Sequence, residues 1–348
     1  MAYVAYLPKA EGRFPVIFQY EPYVGAGTGP WPPSDWWPSD MWLKNGYALV
    51  FANVRGTGCS QGVFDFLGPH EGPDGAAIVD WIGEQPWSDR SVGMIGASYP
   101  GHTQILVAAE HPEGLKAIAP AAVTASSYSE IFYPGGISNI SFISEWGLHL
   151  QPSLEAIGVK ARIGWGDKEC EKNYRAHPAN SLFLEARAHP FFDQWWRSRS
   201  LEQYISRVNV PTFISGTWQD HQTMASGATE LYEQLKSPKR LSMSPRGHVS
   251  AYFEAGFQRD LLRWMDRWVK EVRYRGATAS HDLLGAQRAV AYRQLDNALP
   301  QLASGEDRTA DILVDISGYA QHHCAQQLPC GHQGTLLHVP GRSGVGRQ

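Results

Sequence analysis

Residues 91–111 read SVGMIGASYPGHTQILVAAEH, and this stretch decides the fold. Apolar residues precede its GASYPG segment, and an alanine-rich segment follows it. The pattern predicts a short buried strand, a tight turn centred on Ser98 and then a helix. Gly96 stands where a side chain would crowd the turn that exposes the serine hydroxyl. Pro100 replaces the second glycine of the usual G-x-S-x-G motif and Gly101 follows, so an incidental serine in a glycine-rich turn is the alternative.

Other strand-like segments alternate with helical patterns, which is typical of a mainly parallel, doubly wound sheet of the α/β class. The predicted strands are 14–19, 47–54, 92–95, 115–119, 210–216 and 240–243. We expect one helix at 74–85, with Asp74 as its cap. A second, amphipathic helix is expected at 252–272, because apolar residues recur there at three- and four-residue steps.

The alternating pattern breaks between residues 126 and 207, where Pro and Gly interrupt helical pieces and no strand is predicted. We expect 126–207 to be a helical cap over the strand ends, where α/β folds bind ligands. It separates two parts of one domain, 1–125 and 208–272. Residues 273–348 are polar and rich in Gly, Gln and Ser, and predict an irregular tail or a fragment of a β domain.

Composition excludes several classes of protein. The 348-residue chain has a formal net charge of -4, so no basic surface indicates a nucleic-acid partner. No apolar run has membrane-spanning length, and the first twenty residues lack a secretory signal pattern. Scattered cysteines favour a reduced, cytoplasmic protein, and a secreted one if a leader has been lost. The cysteines are Cys59, Cys170, Cys324 and Cys330.

A serine nucleophile needs a general base and a carboxylate that orients the base. In sheet-based hydrolases these residues follow separate strands in the order Ser, Asp or Glu, His. Asp220 follows the predicted strand 210–216, and His248 follows the strand 240–243. With Ser98 they have the residue types, the order and the strand-end positions of a catalytic triad.

Other residues compete for these roles. His102 lies four residues after Ser98, but a helical side chain there would point away from the turn. His111 lies near the predicted helix end, and His221 adjoins Asp220 and could line a pocket. Three further aspartates fit capping or surface positions better: Asp80, Asp89 and Asp167.

The tetrahedral intermediate of acyl transfer needs hydrogen-bond donors for its oxyanion. We expect one donor to be the backbone N–H of Tyr99, directly after the nucleophile. The loop after strand 14–19 contains Tyr23, whose phenolic O–H is the expected second donor. The alternative for Tyr23 is a buried aromatic with its hydroxyl satisfied by the backbone.

Aromatic residues predict where a substrate pocket lies, although large aromatics also fill protein cores. The candidates are Trp195, Trp196, Trp218 and His221, with the pair Trp36-Trp37 open to the same two interpretations.

Two segments superficially suggest a cofactor or a metal. NVRGTGCSQG from Asn53 has the spacing G-x-G-x-x-x-G and opens no helix that could receive a pyrophosphate. His322-His-Cys324 and Cys330-Gly-His332 contain zinc-ligand residue types, but not at the spacing of a short zinc knuckle. We therefore expect neither a cofactor nor a metal.

Several segments together carry a family resemblance. They are Glu21-Pro-Tyr23, NVRGTGCSQG from Asn53, QPWSD from Gln85, SGTWQD ending at Asp220, and RGH ending at His248. Over residues 5–272 the chain resembles the X-Pro dipeptidyl-peptidase (S15) and cocaine-esterase-like (CocE/NonD) family of serine hydrolases. The resemblance implies an α/β-hydrolase fold with a helical cap. It matches the triad motifs of the family to Ser98, Asp220 and His248, and its oxyanion-hole tyrosine to Tyr23.

Two features depart from the family pattern. Members usually continue into a C-terminal jelly-roll domain, which residues 273–348 do not resemble well, so this tail is interpreted as a truncated remnant. Relatives that hydrolyse α-amino acid esters carry acidic residues beside the catalytic Asp, whereas Asp220 is followed by His221-Gln-Thr. This difference argues against amino-ester specificity.

The sequence thus predicts a serine hydrolase that cleaves an ester or amide through an acyl-enzyme on Ser98, with esters preferred. One alternative is an X-Pro dipeptidyl-peptidase, which would need an acidic cap residue for the substrate amine: Glu130, Glu145 or Glu155. The other is a catalytically silent hydrolase-fold binding protein. The expected partner is a small ester, amide or short peptide, and whether the chain forms a homo-oligomer is open.

Overall fold

A computed structural model describes residues 1–24, 39–178, 180–249, 252 and 254–272. Within them a seven-stranded sheet has the order β1-β3-β2-β4-β5-β6-β7. Its strands are β1 (Tyr3–Tyr6), β2 (Phe14–Glu21), β3 (Ala48–Asn53), β4 (Ser88–Ala97), β5 (Leu115–Ala121), β6 (Thr212–Thr217) and β7 (Lys239–Ser244). All six predicted strands are confirmed, and β1 escapes prediction because four residues are too few to show a pattern.

Strand order brings the candidate residues to one edge of the sheet. Every neighbouring pair is parallel except β1 with β3. The carboxyl ends of β2, β4, β6 and β7 therefore open to the same edge. Since β3 and β4 lie on opposite sides of β2, the strand order reverses between β2 and β4, where open α/β sheets form a ligand crevice.

Helices occupy much of the remaining described chain. They are α1 (Ser39–Lys44), α2 (Glu71–Glu84), α3 (Tyr99–Ala108), α4 (Ile140–Ser144), α5 (Gln151–Gly164), α6 (Lys168–Ala176), α7 (Leu182–Ala188), α8 (Gln194–Arg197), α9 (Ala225–Gln234) and α10 (Ala255–Trp268). Single π-helical turns span Tyr128–Phe132 and Glu145–Leu150, and 3-10 turns span Pro134–Gly136, Leu201–Gln203 and Ile205–Arg207. Within the described chain, no helix combines the length and apolarity needed to cross a membrane.

Apolar cores lie on both faces of the sheet. Alternate residues of β2 point to opposite faces, so Phe18 joins one core and Ile17 joins the other. The first core includes Val79 of α2 and Ile105 of α3, whereas the second includes Leu261 of α10. Helices on both faces explain why the strands read as nearly continuous apolar runs.

The predicted helix boundaries need two corrections. α2 begins at Glu71 rather than at residue 74, so Asp74 lies inside the helix instead of capping it, and its carboxylate pairs with Arg55. The last predicted helix, 252–272, is shorter in the structure, where α10 spans Ala255–Trp268. The described residues between β5 and β6 contain no strand, as expected, and the assignment of 126–207 as a cap stays a prediction. The predicted tail, 273–348, lies outside the described residues.

The expectation of reduced cysteines is wrong for one pair. Cys59, after β3, forms a disulfide with Cys170 on α6. The two residues are 111 positions apart, so their spacing gave no sign of pairing. Asn173 supports the same junction, because its side-chain N–H donates to the Cys59 carbonyl oxygen at 3.1 Å. Cys324 and Cys330 lie outside the described residues.

Candidate active site

Ser98 occupies the turn between β4 and α3 in a strained conformation. Its φ is 67°, in the left-handed region that residues other than glycine rarely adopt. A Cβ on Gly96 would lie 2.6 Å from the Cβ of Pro100, so the turn requires glycine there. A Cβ on Gly101 would lie 2.4 Å from the Ala121 carbonyl oxygen. The displaced second glycine therefore permits close packing of α3 on β5.

His102 does not point away from this turn, as its helical position predicts, but holds the turn from within α3. Its Nδ1 lies 2.8 Å from the Ser98 carbonyl oxygen, so Nδ1 carries the proton and donates. Its Nε2 accepts from the main-chain N–H of Thr124 at 3.1 Å, and the Thr124 hydroxyl lies 2.9 Å away. Burial lowers the pKa of His102 to about 4. With both ring nitrogens engaged, His102 is not available as the base of Ser98.

Asp220 and His248 meet at the ends of β6 and β7. The Nδ1 of His248 lies 2.8 Å and 3.0 Å from the two carboxylate oxygens of Asp220. Nδ1 therefore carries the proton, and Nε2 is the acceptor that a general base needs. Thr223 fixes the carboxylate further, with its hydroxyl donating at 2.7 Å and its main-chain N–H at 3.0 Å.

The Asp220 side chain is only 2% exposed, yet its environment favours the charged form. Burial alone would raise the pKa of this carboxyl. The hydrogen bond and the charge of His248, with donors from Gln222 and Thr223, instead hold the pKa well below its usual range. Asp220 is thus ionised at neutral pH, so it can orient the imidazole and stabilise the imidazolium.

Tyr23 lies beside Ser98 after the end of β2. Burial raises the pKa of its phenol, which is hydrogen-bonded to the Ser98 side chain. The phenol oxygen also accepts a hydrogen bond from Nε1 of Trp146 at 3.0 Å. Because Trp146 donates to this oxygen, the Tyr23 proton can be directed at an oxyanion.

Tyr99 stands directly after Ser98 and packs against Tyr23. Their ring centroids are 6.3 Å apart. As the first residue of α3, Tyr99 has a main-chain N–H with no preceding helical carbonyl to accept it. The backbone of one tyrosine and the phenol of the other are therefore held in one aromatic cluster beside Ser98.

Two aromatic residues that support the nucleophile turn escaped sequence reasoning. Trp146 is 4% exposed, and its ring lies parallel to that of Tyr99 with centroids 5.9 Å apart. It stands on the π-helical turn Glu145–Leu150, an irregularity that often marks functional positions. Tyr252 also supports the turn, since its hydroxyl accepts a hydrogen bond from the Gly96 N–H at 3.0 Å.

The four predicted pocket residues have different environments. Trp196 is 0% exposed and packs within the apolar core, so burial gives it a structural role instead of the predicted contact with substrate. Trp195 is half-buried at the edge of the same core. Trp218 is 61% exposed, and His221 is also exposed, on the loop that carries Asp220.

The three acidic candidates for binding a substrate amine also differ. Glu130 is buried and accepts hydrogen bonds from two main-chain N–H groups and a serine hydroxyl. Glu155 accepts from the Gly58 N–H at 2.7 Å and from Gln151 at 2.8 Å, beside a cavity of about 310 Å³. Glu145 is exposed. Structural hydrogen bonds therefore already occupy Glu130 and Glu155.

Within the described ranges, no group of three or more His, Cys, Asp or Glu side chains could hold a metal ion. The glycine-rich segment after β3 forms turns, and the next helix begins only at Glu71, so this segment is not a pyrophosphate-binding helix start. The pair Trp36-Trp37 and the His322 to His332 cluster lie outside the described residues.

A mainly parallel sheet, with a serine on the turn after β4, an aspartate after β6 and a histidine after β7, defines the α/β-hydrolase class. The chain belongs to the X-Pro dipeptidyl-peptidase (S15) family, whose model matches residues 1–250. It is 29% identical over 268 residues to the cocaine esterase of Rhodococcus sp. (strain MB1 Bresler), covering 70% of this chain and 46% of the esterase. It is 23% identical over 304 residues to an Xaa-Pro dipeptidyl-peptidase of Lacticaseibacillus rhamnosus, covering 81% and 35% of the two chains.

Solved structures agree with the fold. A CocE/NonD family hydrolase from Staphylococcus aureus superimposes with a TM-score of 0.63 at 22% identity, covering 78% of this chain and 48% of that one. The family resemblance and the α/β-hydrolase fold expected from the sequence are thereby confirmed. The chain spans less than half the length of these relatives.

Proposed function

We propose that the protein is a serine hydrolase that forms an acyl-enzyme on Ser98. The observation that carries this proposal is the Nδ1 hydrogen bond from His248 to Asp220 at 2.8 Å, at the sheet edge that also carries the strained Ser98 turn. Nε2 of His248 takes the proton of Ser98 as its oxygen attacks the carbonyl carbon of the substrate. The imidazolium then protonates the leaving group, and water cleaves the acyl-enzyme by the reverse proton transfers.

The proposed oxyanion hole consists of the Tyr99 N–H and the Tyr23 O–H. The hydrogen bond from Trp146 to the Tyr23 oxygen supports this role, because it favours a phenol proton directed away from the indole. The high pKa of Tyr23, caused by burial, keeps that proton in place at neutral pH. Both donors are fixed before substrate arrives, as electrostatic stabilisation of a transition state requires.

We favour an ester over an amide substrate. An X-Pro dipeptidyl-peptidase is the second candidate, supported by the matching family model. Such an enzyme needs an unengaged acid for the substrate amine, whereas Glu130 and Glu155 both accept structural hydrogen bonds, which leaves the exposed Glu145 of the three candidates. The neighbours of Asp220, His221 and Gln222, add no negative charge beside it.

We further propose that 126–207 is a cap over the strand ends, since Trp146 of this segment bonds to Tyr23 at the sheet edge. The location of the protein is a separate question. The scattered cysteines favour a cytoplasmic protein, whereas the disulfide between Cys59 and Cys170 favours an oxidising compartment, where such bonds persist.

A comparison of substrates on one preparation tests the proposal. We expect hydrolysis of phenyl acetate and little hydrolysis of a prolyl dipeptide anilide, with both activities absent in Ser98→Ala. Equal thermal melts of the two proteins would exclude unfolding as the cause. Preferred cleavage of the anilide would support the peptidase, and a folded protein inert towards both would support a binding protein.

A further inference from the structure

The phenol of Tyr99 joins three separate parts of the molecule. Its hydroxyl donates to Oε1 of Glu71, the first residue of α2, and accepts from the Leu67 N–H at 3.0 Å. Its ring lies parallel to that of Trp146, in the segment between β5 and β6. Glu71 is only 2% exposed, so this hydrogen bond is shielded from water.

We propose that Glu71 is a positioning residue for the oxyanion hole, acting through the Tyr99 phenol and switching activity off when its carboxyl ionises. This inference rests on the proposed serine hydrolase. The ring of Tyr99 and its main-chain N–H belong to one residue at the start of α3. Anchoring the phenol therefore restricts the rotation of the residue whose N–H faces the oxyanion.

Aromatic contacts of the Tyr99 ring make this anchor specific. The Tyr99 ring packs edge-on against Phe66 at 5.5 Å and against Tyr23 at 6.3 Å, and it stacks on Trp146 at 5.9 Å. Tyr23 is the other proposed donor. Loss of the bond to Glu71 would therefore loosen the contact between the two residues that supply the oxyanion hole, without changing either donor group.

The charge of Glu71 provides a second link to the reaction. Burial raises the pKa of this carboxyl to about 8, although its hydrogen bonds with the Tyr99 phenol and the Leu67 main chain lower it. Oε2 is buried and has no hydrogen-bond partner among the described residues, so ionisation gains no donor there. The charged or titratable groups that act on Glu71 are Tyr20, Arg55, Asp65, Asp74 and Tyr99.

Ionisation of Glu71 should oppose the reaction. A carboxylate formed above pH 8 would place a buried negative charge at the phenol end of Tyr99, in a region of low dielectric. The tetrahedral intermediate would place a second negative charge beside the main-chain N–H of the same residue. Since the two charges repel only when the intermediate forms, kcat should fall as pH rises through about 8 while KM stays constant.

The experiment measures kcat and KM for phenyl acetate from pH 6 to pH 10 in four folded variants. Glu71→Gln keeps an acceptor for the phenol and cannot ionise, so it should lose the alkaline fall and keep kcat at pH 7 within about threefold. Glu71→Ala and Tyr99→Phe break the anchor and should lower kcat about tenfold at pH 7. The matched control, Glu130→Gln, removes another buried carboxyl and should keep the alkaline fall.

The outcomes are distinct. An unchanged alkaline fall in Glu71→Gln, its absence from the unmodified protein, or unchanged kcat in Tyr99→Phe would overturn the proposal. Tyr99→Phe retains the ring and the main-chain N–H, so it decides the anchoring role even where Glu71→Ala does not fold. Failure of the proposed function is recognised separately, because the unmodified protein would then hydrolyse no ester at any pH.

Discussion

The carboxyl edge of the sheet and the helical segment between β5 and β6 contribute to the candidate site in different ways. At the sheet edge, each of Ser98, Asp220 and His248 follows its own strand, so the backbone brings them together. In the helical segment, Trp146 reaches Tyr23 across 123 residues of sequence. We propose that the sheet edge supplies the reacting groups, whereas Trp146 of the helical segment orients the phenol of Tyr23.

The largest effect should come from the sheet edge, with Asp220→Asn. The amide would no longer hold the proton on Nδ1 of His248 or stabilise the imidazolium, so kcat should fall about ten thousandfold. Steady-state hydrolysis of phenyl acetate measures this loss. Asp80→Asn, at an exposed position of α2, is the matched control and should keep full activity. If kcat fell less than tenfold in Asp220→Asn, the sheet edge would not differ from the helical segment in its contribution to the reaction.

The next largest losses of kcat should come from variants at the two ends of the hydrogen bond between Trp146 and Tyr23. Tyr23→Phe removes an oxyanion donor and should lower kcat about a hundredfold with little change in KM. Trp146→Phe keeps an aromatic ring but removes the N–H that directs the phenol together with part of the ring volume, so kcat should fall roughly fivefold. If both variants lost the same activity, Trp146 would contribute to the reaction as much as Tyr23, and the helical segment would not have only a supporting role.

The smallest effect on activity should come from the disulfide. Cys59→Ser with Cys170→Ser should lower the free energy of unfolding by roughly 2–5 kcal/mol, because the bond closes a long loop. The kcat of the folded double variant should stay within about twofold, since no sheet-end residue moves. Chemical denaturation and an ester assay at 10 °C measure the two quantities. A large loss of kcat without a change in stability would contradict this division of roles.

The sequence predicted which side chains lie at the sheet edge, because each of them directly follows the end of a strand. The apolar periodicity of β4, β6 and β7 fixes where each strand ends, and Ser98, Asp220 and His248 follow those ends. Gly96 and Gly101 were informative for the same local reason, since both conform to the backbone of one turn. Such features depend on a few neighbouring residues, and a sequence records them directly.

The supporting groups could not be predicted because they depend on distant contacts. Glu71 begins a helix, and nothing in its neighbourhood indicates a bond to Tyr99. The pairing of Cys59 with Cys170 depends on how α6 packs beside the loop after β3. Trp196 shows the opposite error, since an aromatic pair suggested a pocket and the structure buries Trp196 in the core. Residue type alone does not separate packing from contact with a ligand.

Covalent labelling tests most directly whether Ser98 is an activated nucleophile. The full chain is incubated with a fluorophosphonate, and intact mass and peptide mapping locate the adduct. We predict one adduct per chain, on the peptide that contains Ser98, and none in a folded Ser98→Ala variant. No adduct on the unmodified protein, or the same adduct in Ser98→Ala, would contradict the account.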